Sequence, residues 1–345
     1  MPFKIIRNDI TKVQADIIVN TANPKAIYAS GTDLAIYQAA GADALLAERK
    51  KIGDIARGDI AVTGAYALKA KYIIHTVGPV WFDGSHHEFE ILESCYAKSL
   101  RKAQELGCES IAFPLIATGV YGFPKDQALQ IAVKVFSRFL MENDMQIILV
   151  VYDKRSFQLS GQLVGEIRSY IDVSEIREKR VAEYSRRSYP MEPEASLEED
   201  AYEVCRCYSE AESDVTDADD HAALTLEEEL ASIGMSFHDK LFELIGQSGL
   251  DNKDVWKRAN LDRKHFSKIQ CDKNYHPKKK TVMALCIALE LDLEQAKDLL
   301  ARADWAFSPS SRVDLIVQKA IDEKQYDIYQ LNLVLFKYTN EILGV

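Results

Sequence analysis

Apolar, β-branched runs recur through the first half of the chain at 4–6, 15–19, 59–63, 72–77, 110–114 and 146–152, and helical patterns lie near 33–50, 87–106, 125–142 and 158–172. Strands this continuously apolar are buried on both faces, and alternation with helices supplies the cover for those faces. The pattern predicts an α/β fold: a three-layer α/β/α domain over residues 1–172 with a mostly parallel central sheet. In such sheets ligands bind in the crevice beyond the carboxyl ends of the strands. The loops leaving those ends are therefore the place to look for chemistry.

Charge organises the rest. The formal net charge of −11 over 345 residues is not spread evenly. Residues 1–172 carry 19 Lys+Arg against 19 Asp+Glu, residues 191–229 carry 15 acids against the single base Arg206, and residues 236–345 carry 17 bases and 16 acids. A run so acidic and so poor in apolar residues predicts a flexible linker, 173–235. The chain thus reads as neutral domain, acidic linker and C-terminal domain, the last with ten bases against three acids in 253–280. No apolar run approaches the ~18 residues that cross a bilayer, and the N-terminal MPFKIIRNDI has no signal-peptide core. We expect a cytoplasmic protein with no membrane contact. Six cysteines without C-x-x-C spacing fit a reducing compartment and argue against a disulfide framework or a zinc cage. The close pair Cys205 and Cys207 falls short of the ligand number a structural metal site needs.

Four strand-end loops stand out: NDIT at 8–11, NTANP at 20–24, HTVGPVW at 75–81 and FPLIATGVYGFP at 113–124. In the last, Phe-Pro closes a buried strand, and residues 118–122 supply two glycines where main chain can wrap an anion. The helix expected from about Pro124 adds its positive end.

These four loops, taken in order, resemble the macrodomain family, whose members bind ADP-ribose and in many cases hydrolyse ADP-ribosyl linkages. The resemblance covers about residues 1–172 and implies a role for particular positions. Asp9, with the Ile10 backbone N–H beside it, resembles the residue that accepts from the adenine amino group. Asn23 is similar to the residue that contacts the ribose next to the scissile bond; Asn20, which looks structural, is counted with the ligand-binding residues. Thr118, Gly119, Val120 and Tyr121 resemble the diphosphate-wrapping loop, and Ala29 and Ser30 are expected to add backbone donors for a phosphate, with Gly31 the one residue there that takes positive φ cheaply. Phe123 falls near the terminal ribose, and Tyr152 matches an aromatic that stacks on adenine. No metal and no cofactor is implied; ADP-ribose is itself the ligand or product.

Asp33 matters most. In hydrolytic members an aspartate ten positions after the ribose asparagine helps to place the attacking water, and Asn23 and Asp33 keep that spacing. The segment between them departs from the family: Tyr28-Ala29-Ser30-Gly31-Thr32 stands where a glycine run is usual, and Leu34 replaces a small residue. Asn23 and Asp33 are accordingly the expected catalytic pair, in a loop whose geometry the departure puts in question. Other readings of single residues stay open: Asp33 as a helix N-cap, Asp9 as a turn-forming Asx residue, Tyr152 as core packing, and His75 as a buried core histidine.

The C-terminal segment shows helical periodicity at 236–248, 252–260, 263–270, 278–291, 293–303, 309–324 and 326–342, which predicts an all-α domain. Its order of helices resembles the helix-turn-helix domains of phage-repressor type, with Asp262 capping a recognition helix. Arg263, Lys264, Lys268 and Lys273, with Lys278 to Lys280, would form a basic face suited to phosphate contacts. Such folds also dock proteins, so a DNA partner and a protein partner both remain open. Two functions survive: an enzyme that removes mono-ADP-ribose from a macromolecule, and a non-catalytic reader of ADP-ribose whose helical domain engages DNA or a protein.

Overall fold

A computed structural model describes residues 2–152 and 234–344. The helix expected at 158–172, the acidic run and the Cys205–Cys207 pair lie outside them. The α/β half builds one six-stranded sheet from β1 (Phe3–Arg7), β2 (Ile17–Thr21), β3 (Ile60–Gly64), β4 (Tyr72–Thr76), β5 (Ser110–Pro114) and β6 (Gln146–Val151), in the order β1-β6-β5-β2-β4-β3. Every pairing is parallel except that of β3 with β4. The sheet is thus mostly parallel, with one antiparallel edge. Five carboxyl ends point one way, and the loops that follow them gather there.

Helices α1 (Gly31–Ala40) and α2 (Ala42–Ile52) cover one face, α3 (Glu88–Glu105) and α4 (Lys125–Glu142) the other. The pattern at 33–50 predicted one helix; the structure has two, broken at Gly41, whose φ of 103° ends α1 in a left-handed cap. Two apolar clusters flank the sheet. Ile36, Tyr37 and Leu45 pack with Ile18 and Ile73, while Leu92, Tyr96 and Phe136 pack with Ile17, Ile74 and Phe113. Alternate strand residues point to opposite faces, which is how a strand such as β2 feeds both clusters.

The C-terminal half is helical: α5 (Phe237–Ser248), α6 (Asn252–Arg258), α7 (Arg263–Cys271), α8 (Lys279–Ala288), α9 (Leu293–Ala301), α10 (Arg312–Asp322) and α11 (Ile328–Thr339). Side chains of Ser236, Asp251, Asp262, Asp292, Ser311 and Asp327 accept first-turn N–H bonds at their helix starts and fix those boundaries. Among the described residues no helix is long and apolar enough to cross a membrane.

The two halves belong to one compact unit. Strand β1 is a sheet edge, and the helical half covers it. The N–H of Phe3 donates to Asn260 Oδ1 at 3.0 Å, and Asn260 Nδ2 donates to the carbonyls of Phe3 at 3.1 Å and Leu343 at 3.4 Å. Asn260, in the α6–α7 turn, has φ 53°, a conformation asparagine tolerates better than most residues. Lys257, buried in α6, donates to the carbonyl of Met141 at 2.9 Å, at the end of α4. The outward N–H and carbonyl of Phe3 on this edge are thereby satisfied within the chain.

Candidate functional site

A cavity of about 340 Å³ opens at the carboxyl ends of the strands. One wall is Asn23 with Ala29 to Asp33; the other is Leu115 with Ala117 to Tyr121; Gly78 and Lys125 complete it. A second cavity of about 400 Å³ shares Gly31 and Thr32 and continues past Ala35 to Asp9, Ile10 and Tyr152. The two form one cleft, with the start of α1 at its middle.

The first wall answers the question its sequence raises. Within residues 28–33 only Gly31 has positive φ, at 62°. Ala29 and Ser30 occupy ordinary backbone, Ser30 being extended at φ −154°, so side chains there carry no conformational penalty. The loss of glycines therefore strains nothing. Tyr28 is turned inward and stacks on Tyr37 of α1, with ring centroids 4.6 Å apart. It fastens the loop to the helix.

Asp33 is the third residue of α1, and the N-cap position belongs to Ser30. Only 6% of Asp33 is exposed, yet it lines the cavity. Oδ1 accepts from Asn20 Nδ2 at 2.7 Å and Oδ2 from the Ala29 N–H at 3.3 Å. Burial raises its pKa above the usual carboxylate range, against the lowering effect of Asn20, the Ala29 N–H and the Arg49 guanidinium. Asn20 is fully buried in β2 and is absent from the cavity lining; its amide serves Asp33 and His75 rather than a ligand, because it lies in the sheet beneath the loop. His75 is likewise fully buried, and burial together with Arg49 pushes its pKa down to about 3. It is a neutral core histidine.

Arg49, in the sequence AERKK, carries no local mark of function, yet it is 1% exposed. Its guanidinium donates to the carbonyls of Gly53 and Pro24, and the Ile55 N–H donates to Pro24 as well at 2.9 Å. A buried cation thus braces the loop that carries Asn23, a half-buried residue of the cavity lining.

The second wall is a main-chain cradle. Ala117 holds φ 64° and Gly122 φ 70°; the Phe123 N–H donates to Ala117 O at 3.0 Å, and Thr118 Oγ1 to Leu115 O at 3.1 Å. Gly78 leaves room for this turn, since a Cβ there would lie 2.9 Å from that of Ala117. Val120 is 87% exposed at the rim. Arg57 donates to Gly78 O at 2.8 Å and lies 5.2 Å from the Tyr121 ring centre. Phe123 does not line the cavity: it is 1% exposed and packs edge-on against Trp81 and Phe89, which anchors the end of the loop. Gly78 lies within the marked loop 75–81, whereas nothing in the local sequence marked Arg57.

At the far end, Asp9 Oδ1 accepts from the N–H and hydroxyl of Thr11, at 3.0 and 2.8 Å. The aspartate is thus a turn residue that also lines the second cavity. Ile10 is buried at the cavity's edge, and Tyr152 is 76% exposed, its ring free to stack. Asp83, His86 and Glu88 form a metal-like grouping among the described residues. The Glu88 carboxylate, however, accepts N–H bonds from Phe82, Gly84 and His86 and closes that loop.

In the helical half Arg263, Lys264 and Lys268 lie exposed on α7, with Lys273 just beyond it. Lys279 pairs with the buried Asp314 and Lys280 with Glu341, so the expected basic face is narrower than its lysine run.

A family model described as Macro domain matches residues 19–132. A macro domain-containing protein of Methanosarcina mazei is 46% identical over 48% of this chain and 88% of its own length. An Escherichia coli protein named O-acetyl-ADP-ribose deacetylase is 41% identical over 47% of this chain and 94% of its own. A solved Oceanobacillus iheyensis macrodomain with ADP is 36% identical, covering 44% of this chain and 84% of that one at a TM-score of 0.42.

Proposed function

The chain belongs to the macro domain family through its N-terminal half, and from that premise we propose that it binds ADP-ribose along the cleft and hydrolyses an acyl or related linkage on the terminal ribose. The observation that carries this reading is one continuous cleft with Asp9 and Tyr152 at one end and Asn23 and Asp33 at the other. Adenine stacks on Tyr152 with Asp9 beside it. The diphosphate lies between the start of α1 and the Thr118–Tyr121 turn, where N–H groups and the helix dipole favour negative charge. Asn23 orients the terminal ribose, and Asp33 accepts the proton of the attacking water, a task for which a raised carboxylate pKa is suited. The relatives named O-acetyl-ADP-ribose deacetylase support an ester-type linkage.

The test uses the full chain with O-acetyl-ADP-ribose and with a protein mono-ADP-ribosylated on acidic residues. Turnover of one or both is expected, and Asp33→Ala should lower kcat by about 100-fold or more while ADP-ribose still binds by calorimetry. A second reading, a non-catalytic reader, is favoured by the fact that both Asp33 oxygens already hold hydrogen bonds. Binding without turnover of either substrate would establish it. For the helical half we propose a helix-turn-helix pair, α6 and α7, whose Arg263, Lys264, Lys268 and Lys273 contact nucleic-acid phosphates. That binding should weaken steeply with salt; binding indifferent to salt would point to a protein partner.

A further inference from the structure

We infer that His75, which lies outside the cleft, is a positioning residue that holds Asp33 in its working orientation through Asn20. The inference rests on the hydrolytic reading above, but its geometry stands apart from it. Asn20 and His75 are register partners on the parallel strands β2 and β4. Asn20 Nδ2 lies 2.7 Å from Asp33 Oδ1 and 3.1 Å from His75 Nδ1, and His75 Nε2 lies 2.9 Å from Thr63 Oγ1.

Donor and acceptor chemistry leaves one arrangement. A carboxylate only accepts and an amide nitrogen only donates, so the two Asn20 hydrogens go to Asp33 and His75. Nδ1 must then be the acceptor, and the ring proton sits on Nε2, directed at Thr63. The flipped amide would set its oxygen against the Asp33 carboxylate. As it stands, Asn20 Oδ1 is buried without a hydrogen-bond partner. The amide is therefore held by its nitrogen alone, between one catalytic-site acceptor and one histidine acceptor. Remove the second and the plane of the amide is no longer fixed. Other charged or titratable groups facing this chain are Arg49 from α2 and Tyr37 from α1, whose ring centre is 6.1 Å from that of His75. Arg49 disfavours a charged imidazole, so Nδ1 stays an acceptor through the neutral range.

The experiment compares His75→Asn, which retains an acceptor near the Nδ1 position, with His75→Gln, which places its polar end near Nε2 instead. In the full chain, the titration of the Asp33 side-chain carbon is followed by NMR, and kcat, KM and ADP-ribose affinity are measured against pH. We expect His75→Gln to move the Asp33 titration and the acid limb of kcat upward by about one pH unit and to lower kcat about tenfold, with ADP-ribose affinity within about threefold. His75→Asn should recover both. Thr63→Val, which removes the Nε2–H acceptor with little change of volume, should shift Asp33 in the same direction even if His75→Gln folds poorly. An unchanged Asp33 titration in His75→Gln and Thr63→Val, or equal damage by Asn and Gln, overturns the inference. Absence of turnover by the native chain would sink the hydrolytic reading alone, since the NMR titration needs no reaction.

Discussion

The two walls of the cleft are held in different ways. Residues 23–33 are held through two buried ionisable groups: the Asp33 carboxylate bonded by Asn20, and the Arg49 guanidinium bonded to the Pro24 carbonyl. Residues 115–123 rest mainly on neutral bonds and rings, the Trp81 N–H to Tyr121 O at 2.8 Å, the Ile116 N–H to Tyr96 Oη at 3.1 Å, and Phe123 against Trp81, with one exposed cation, Arg57, over the Tyr121 ring. The first wall should answer to pH and charge removal, and the second to backbone geometry. Replacing Arg49 with leucine is the strongest blow to this contrast. It strands two carbonyls and leaves Asp33 without its buried cation, which should cost about 3 kcal/mol. Thermal melts of Arg49→Leu measure that loss, and ADP-ribose affinity should fall with it as the Asn23 loop loosens.

Acid titration separates the walls next. His75 keeps a folded pKa near 3 against an ordinary 6.5. Between those values the unfolded chain binds the extra proton, so stability is full above about 6.5 and declines as pH falls. The slope contributed by one such group approaches about 1.4 kcal/mol per pH unit. Urea melts between pH 7 and pH 4 should show this component in the native chain and lose it in His75→Asn. A slope unaltered by that substitution would mean the first wall is not the acid-sensitive one.

How much of this was legible depended on whether a signal was local. Strand positions were plain because apolar runs of the right length are local, and the C-terminal helices because their apolar periodicity is local too. Asn23, Asp33 and Tyr152, singled out through the macrodomain resemblance, all line the two cavities. Arg49 was hidden: between Glu48 and Lys50 it resembles a solvent-facing helix residue, and only the folded loop brings Pro24 and Gly53 to it. The Asn20–His75 bond joins residues 55 apart through strand register, which periodicity does not encode. Phe123 followed the loop motif into the expected site, but its ring had two aromatic neighbours to pack on and turned inward. Asn260 went unremarked in the sequence: it sits in a turn, and its side chain pairs with Phe3, a contact 257 residues distant that no local signal encodes.

The smallest test bears on glycine itself. The sequence suggested that a phosphate-binding wall needs many glycines, whereas the structure needs left-handed backbone at few places, and the two walls meet that need differently. Gly31, at φ 62°, has open space where a Cβ would go. Gly31→Ala therefore carries only the conformational penalty, about 1–2 kcal/mol, and should weaken ADP-ribose binding by about five- to thirtyfold if the loop relaxes. In the other wall the same backbone region is occupied by Ala117, at φ 64°, which already bears that penalty. Ala117→Gly relieves it but adds about 0.5–1 kcal/mol of unfolded-state freedom. The net should be a stabilisation of about 0.5 kcal/mol, read as a small rise in Tm with binding unchanged. If Gly31→Ala is silent and Ala117→Gly is destabilising, φ is not what distinguishes the walls, and the missing glycines of residues 28–30 would again need a cost assigned to them.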